Sequence, residues 1–358
     1  MPKVKLPVTR YYGSKRKLVE RIWNEFENLG LAFDSVLDLF GGTGIFSYYS
    51  KVKGKKVTYN DIFSFNTAIG KKLIQETTNE LSYDEAIALL EPNSGHVYKT
   101  IIQDNFQGIY FTDAENKQID LFIQNANLLE NESKRLSAYY ILFQSCIIKR
   151  PYNLFHRNNL SMRLNYNGGN FGNKITWERS FEELFSRFLI ELDEFCFDNE
   201  RDNLAVNSSA ADCYEQADLV YIDPPYFSSS RNHTTYHSKY HFLEGLANYD
   251  KIIDHINYEK NNKELTINKS EQFERKETFL AELEELILRH HQSIIVISYR
   301  NNGIPSIQAI HDLMAQCRPD RNVHVLDLGI YGYALNKKNQ FNNEFLIIGT
   351  NNPIQNDE

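Results

Sequence analysis

SVLDLFGGTGIFSYYSKVKGKKVTYND, residues 35–61, decides the fold. An apolar strand, SVLDLF, runs into a glycine cluster at 41–44, a helix begins near residue 45, and KVTYND forms a second strand. Strand, glycine turn, helix, strand is the opening of a doubly wound α/β sheet. In such sheets ligands lie beyond the carboxyl ends of the strands. The turn Asp38-Leu39-Phe40-Gly41-Gly42-Thr43-Gly44 is therefore expected to line a site.

Glycines let a backbone approach a ligand and adopt positive φ. Asp61 closes the next strand 17 residues beyond Gly44, a distance at which an acid holds ribose hydroxyls in nucleotide-binding sheets. A dinucleotide site would want G-x-G-x-x-G, so that free N–H groups meet a pyrophosphate. Here the loop is D-x-F-x-G-x-G, with an acid before it and a ring within it. That pairing suits a cationic ligand without phosphate, and S-adenosylmethionine, a sulfonium, is such a ligand. A purely structural glycine turn is the competing reading.

Downstream, LVYIDPPYF (219–227) ends a short strand in an acid, two prolines and two aromatics. Pro224 and Pro225 lack N–H groups and hold their predecessors extended. The strand end thus offers acceptors and no donors: the Asp223 carboxylate, then carbonyls. Such a site fits an exocyclic amino group, and Tyr226 adds a stacking face worth about 1–3 kcal/mol per base. The Asp223 carboxylate and the Pro224 carbonyl would draw an adenine amine toward tetrahedral geometry and free its lone pair.

The rest of the chain alternates and then breaks. Helical spacing covers 16–29, and further helices are expected at about 82–90, 115–130, 133–147 and 181–198. Strands resume at 203–207, 218–223, 293–299, 323–329 and 344–350. The expected architecture is α/β, a doubly wound mixed sheet of Rossmann-like type. Residues 1–75 and 202–358 would form the catalytic domain, and 76–201 a mainly helical inserted lobe. The stretch 150–180, rich in Asn, Gly, Arg and aromatics, is too long and polar for an ordinary connection. Residues 227–275 read as a second polar insertion.

Composition bounds the rest. Of 358 residues 42% are apolar and 24% charged, with a formal net charge of −8. This is a globular composition and argues against a general polyanion binder, although local basic faces at 15–17, 51–56 and 149–150 remain possible. Cys146, Cys196, Cys213 and Cys317 are scattered, with no CxxC pair, so neither a disulfide framework nor a zinc site is expected. No apolar run approaches bilayer length and the N-terminus has no signal-like core, so a cytoplasmic protein away from membranes is expected.

Taken together, RYYGSKRKL (10–18), DLFGGTG (38–44), YNDI (59–62), the lobe and DPPY (223–226) stand in the order of the Dam-type, alpha-group DNA adenine-N6 methyltransferases, which the chain resembles along nearly its whole length. The resemblance implies an S-adenosylmethionine-dependent enzyme acting on an adenine flipped out of double-stranded DNA. It implies a catalytic strand end at Asp223, Pro224, Pro225 and Tyr226. It assigns cofactor contacts to Tyr11, Lys15, Asp38, Phe40, Gly42, Gly44, Asp61 and Asp223. The acid that meets the cofactor's adenine in many relatives has no clear counterpart, and its place lies between Ser209 and Asp212.

In the lobe, the resemblance gives Arg150, Asn153, Arg157, Asn158, Arg163 and Lys174 to DNA, and Tyr236 and His237 to a loop over the target base. His233, His237 and His241 recur every four residues, but no carboxylate or cysteine pattern accompanies them, and no metal is expected. The same core also methylates RNA adenine, cytosine N4 or protein amides; cytosine enzymes usually carry Ser, and amide enzymes Asn, where Asp223 stands. A non-catalytic specificity subunit would have let the glycine turn or DPPY decay, and both are intact. A monomer is the default, and a companion restriction endonuclease is a compatible partner. The target sequence is not legible.

Overall fold

The computed structural model describes residues 4–8, 11–165, 174–225, 227, 234–267, 273–330 and 343–353. Its seven strands are β1 (Ser35–Asp38), β2 (Lys56–Asp61), β3 (Leu204–Asn207), β4 (Leu219–Ile222), β5 (Ile294–Arg300), β6 (Arg321–Ile330) and β7 (Asn343–Pro353). They form one sheet in the order β3-β2-β1-β4-β5-β7-β6. The first five are parallel, and β7 runs antiparallel to both β5 and β6. This is the α/β mixed sheet that the pattern over 35–61 predicts.

From β1 the chain winds outward through β2 and β3, then returns to β4 on the other side and continues to β5. The reversal opens a crevice at the carboxyl ends of β1 and β4. Asp38 pairs with Tyr221 across that seam, so Asp223 stands two residues past the pairing, on the same rim.

Strand residues alternate between two cores, as a period of two requires. Val36, Leu219, Tyr221 and Val296 enter one cluster. Leu37, Val220, Ile222 and Ile295 enter the other. The second is covered by α12 (Phe279–Arg289) and α13 (Ile307–Cys317), through residues such as Phe279, Leu283, Ile310 and Met314. On the first face lie α1 (Val19–Asn28), α2 (Ile45–Val52) and α3 (Ser64–Gly70). The 16–29 pattern is realised in α1, whose Val19, Ile22, Trp23 and Phe26 are all buried.

Residues 76–201 carry α4 (Tyr83–Ala88), α5 (Ile101–Asn105), α6 (Asp113–Asn127), α7 (Glu132–Ile148), α8 (Leu160–Leu164), α9 (Lys174–Glu178) and α10 (Phe181–Phe195). Thr112 with Glu115, and Ser180 with Glu183, form the capping boxes that start α6 and α10. The lobe shares its core with the sheet: Phe143 and Phe185 belong to the same cluster as Val36 and Tyr221.

One expectation fails here. Much of the second insertion is buried, because it folds as α11 (Tyr236–Ala247), which packs on α3. Its polar groups are satisfied inside: Glu244 accepts the Phe65 N–H at 3.2 Å, and His241 accepts the Leu265 N–H at 3.0 Å. Among the described residues no helix is long and apolar enough to cross a membrane.

Candidate active site

The glycine turn is built around a tyrosine. Tyr59 is fully buried in β2, and a Cβ at Gly41 or Gly70 would lie 2.1 or 2.5 Å from its ring carbons. Its hydroxyl donates to the Gly42 carbonyl at 2.8 Å. Gly42 and Gly44 adopt φ of +50° and +70°, a region open chiefly to glycine. Asp61 fastens the turn: its two oxygens accept the N–H groups of Gly42 and Phe63, each at 2.8 Å. An ionised carboxylate has about four acceptor sites, so capacity remains for a further donor. Burial first, opposed by those two N–H bonds, raises Asp61 to about 6.

Across the seam, Asp38 takes the Ser47 hydroxyl at 2.7 Å through one oxygen. The other oxygen is buried without a partner among the described residues. Burial lifts Asp38 to about 7, the Ser47 bond opposes this, and the nearby Asp223 and Asp61 add to it. Asp223 is only 18% exposed and receives Lys15 Nζ at 2.7 Å on Oδ1. Burial raises it to about 6 against the pull of Lys15, with Glu344 pushing the same way as burial.

Sequence reasoning missed Glu344. It lies on the antiparallel strand β7, buried, 3.2 Å from Lys15 Nζ and 2.7 Å from the Ser298 hydroxyl that donates to it. The only signal was a lone acid opening an apolar strand. Lys15, assigned to the cofactor, lines the polar chamber of the crevice and bridges two acids there.

Two adjoining chambers share Phe40, Pro225 and Tyr236 as a common wall. The first, about 560 Å³, is polar and lined by Lys15, Asp38, Gly42 and Asp223 beside Tyr11. The second, about 600 Å³, takes Leu39, Ile62, Phe63, Ala210 and Phe273, with Asp61 at its edge. Tyr11 stacks on Tyr240 at 4.2 Å and 5° and receives the Asn66 amide at 3.2 Å. One chamber thus carries acids around a single lysine, which favours a cation. The other offers apolar faces suited to a flat ring.

Several assigned residues stand elsewhere. Ser209 and Asp212 bond each other, the Ser209 hydroxyl accepting the Asp212 N–H at 3.1 Å and donating to its carboxylate at 2.6 Å. They cap the turn Ala210–Asp212, and Ala210 is the residue that lines the chamber. His237 is buried with Nε2 at 3.1 Å from the Ile267 carbonyl, so it walls the second chamber and does not face DNA from a loop. Tyr236 lines both chambers. Tyr226 lies outside the described residues. Among those residues no cluster of His, Cys, Asp and Glu could hold a metal.

In the lobe, Arg150 is a correction. It is fully buried, stacks over Tyr110 at 4.5 Å, and donates to the carbonyls of Tyr110 and Arg157 at 3.0 and 2.8 Å and to the Asn159 side chain. Arg163 is likewise turned inward, paired with Glu115, which also holds Lys149 at 2.9 Å. Charged groups in a protein interior need such partners, and neither cation presents itself to a backbone phosphate. Asn153, at φ 59°, turns the chain after Pro151. Lys174 is exposed and paired with Glu178 at 3.4 Å. Arg157 and Asn158 are exposed and line an open groove.

The chain is similar to known proteins along most of its length. The sequence profile described as D12 class N6 adenine-specific DNA methyltransferase matches residues 11–293. The chain is 27% identical over 238 residues to the type II methyltransferase M2.HphI of Haemophilus parahaemolyticus, covering 64% of this chain and 68% of that protein. To the type II methyltransferase M.NlaIII of Neisseria lactamica it is 24% identical, over 85% of this chain and 86% of the relative. To the modification methylase StsI of Streptococcus sanguinis it is 26% identical over 88% of this chain, which spans 47% of that longer protein.

Proposed function

The chain belongs to the D12 class of N6 adenine-specific DNA methyltransferases, and from that premise we propose that its crevice transfers the methyl group of S-adenosylmethionine to the N6 amine of an adenine flipped out of duplex DNA. The observation that carries this reading is that Asp38 and Asp223 line one chamber at the seam between β1 and β4. Bound there, S-adenosylmethionine supplies an electrophilic methyl group on a sulfonium.

The residues fit such a ligand. The unpartnered Asp38 oxygen and the acidic first chamber suit its ammonium and sulfonium charges. Asp61 is positioned for ribose hydroxyls, and the second chamber for the adenine ring. Lys15 occupies Oδ1 of Asp223, which leaves Oδ2 to accept one N6 hydrogen of the target base, while the Pro224 carbonyl takes the other. With both hydrogens held, the nitrogen lone pair is directed away from the ring. The N6 proton released on methylation leaves along the Asp223 hydrogen bond. Tyr226 supplies the stacking surface that offsets the few kcal/mol of base flipping.

The lobe over 76–201 reads the surrounding duplex, and a restriction endonuclease of the same specificity is the expected companion. The enzyme acts as a monomer on one strand at a time. Asp223→Ala tests the reading: N6-methyladenine in substrate DNA should vanish while circular dichroism shows a protein that still folds, at some cost in stability from the partly uncompensated Lys15. Near-normal methylation by that variant would overturn it.

A further inference from the structure

A small hairpin outside the lobe faces the exposed part of the lobe's polar segment. Ile256 bridges Leu265 in antiparallel fashion, the Asn257 N–H donates to the Glu264 carbonyl at 3.0 Å, and the tip is Asn261-Asn262-Lys263. Between this tip and residues 156–162 lies an open groove of about 670 Å³, lined by Arg157, Asn158, Ser161, Met162 and Asn261 among others and, among the described residues, by no acid. Arg157, Asn158 and Asn261 are exposed.

Both walls are held from beneath by one buried network. The Tyr110 hydroxyl lies 2.7 Å from the carbonyls of Phe155 and Asn262 and 2.9 Å from His241 Nε2. Because His241 Nδ1 accepts the Leu265 N–H, the ring proton sits on Nε2 and points at those oxygens. Burial holds this imidazole neutral, down at about 3. Arg150 fixes the other wall through the Arg157 carbonyl and the Asn159 side chain.

The groove adjoins the active-site crevice. The Phe155 N–H donates to the Lys239 carbonyl at 2.9 Å. The Lys239 ammonium in turn lies over the rings of Tyr12 and Tyr236, which line the first chamber.

Resting on the function proposed above, we infer that the groove takes base edges of the duplex beside the flipped adenine, and that Asn261, with Arg157 and Asn158, is a specificity-determining residue. Amide and guanidinium side chains pair bidentately with adenine and guanine in the major groove, and a groove without acids tolerates the adjacent phosphates. The hairpin over 256–265 therefore serves as a second reading element beside the lobe.

The test maps N6-methyladenine by sequencing DNA from cells expressing wild type, Asn261→Ala or Arg157→Ala, and measures each purified variant on an oligonucleotide carrying the mapped site. Each substitution should lower methylation of that site roughly tenfold and add sites differing at one position. Cofactor binding should stay at the wild-type value. An unchanged site spectrum and unchanged rates in Asn261→Ala would overturn the inference. Absence of N6-methyladenine with wild type would instead defeat the underlying function.

Discussion

Lys15 Nζ lies 2.7 Å from Asp223 Oδ1, and the same ammonium sits 3.2 Å from Glu344 on the antiparallel strand β7. One ammonium from the first twenty residues thus joins the strand-end carboxylate to a buried acid on β7. Losing one member of a buried charge set leaves the others uncompensated, and this makes the ionisation of Asp223 adjustable.

Asp223 must be ionised to accept the amine hydrogen. With its carboxyl raised to about 6, methylation should fall as pH drops through that value. Glu344→Gln removes a charge that raises Asp223, so its acid limb should move to lower pH. Lys15→Met removes the charge that lowers it, and that limb should move to higher pH. Methylation rates across a pH series read both shifts; acid limbs that coincide in all three proteins would contradict the coupling.

Asp38 and Asp61 are raised by burial to about 7 and about 6. A carboxyl whose folded value lies above its unfolded value stabilises the fold fully below the unfolded value, and loses that contribution as pH rises through the folded one. These two acids therefore contribute less stability at about pH 7 than at about pH 4, and His156, His241 and His290, held below the free imidazole value by burial, oppose that loss over the same range. A cationic cofactor favours the ionised acids, so its thermal shift should be larger near pH 8 than near pH 5. Equal shifts at both would count against an acidic cofactor chamber.

Arg150 and Arg157 separate by role. Arg150→Met strips donors from several buried acceptors, each costing about 1–3 kcal/mol when left unpaired. Urea unfolding should show a loss of at least that size. Arg157→Ala should leave stability near wild type and weaken binding of the substrate site by about 1–3 kcal/mol. A reversal of these two patterns would return Arg150 to the DNA surface.

Gly41 has a steric reason. Its Cβ would lie 2.1 Å from the Tyr59 ring, so Gly41→Ala should destabilise by about 1–3 kcal/mol through overpacking and weaken cofactor binding with it. Adding Tyr59→Leu should recover part of the stability. A silent Gly41→Ala would mean the turn has room to relax.

Much of the fold was legible because its signals are local. The continuous apolar runs at 35–40 and 293–299, the glycines at 41–44, and the helical patterns of α1, α6, α7 and α10 depend on neighbours within a few residues. The hairpin over 256–265 was not legible, because a short pairing closed by Asn and Lys resembles any polar loop. Nor was α11, whose Lys239, His241 and Glu244 look solvent-seeking until partners from elsewhere bury them.

By itself the sequence determined the doubly wound sheet, the order of its motifs and the presence of Asp38, Asp61 and Asp223 at strand ends, since periodicity and turn chemistry are properties of short segments. Only the tertiary structure decided which cations are interior. Arg150, Arg163 and Lys15 find their partners on separate elements, Lys15 and Asp223 being 208 residues apart in the chain. The cost of desolvating a charge is met by whatever the fold brings within hydrogen-bond distance.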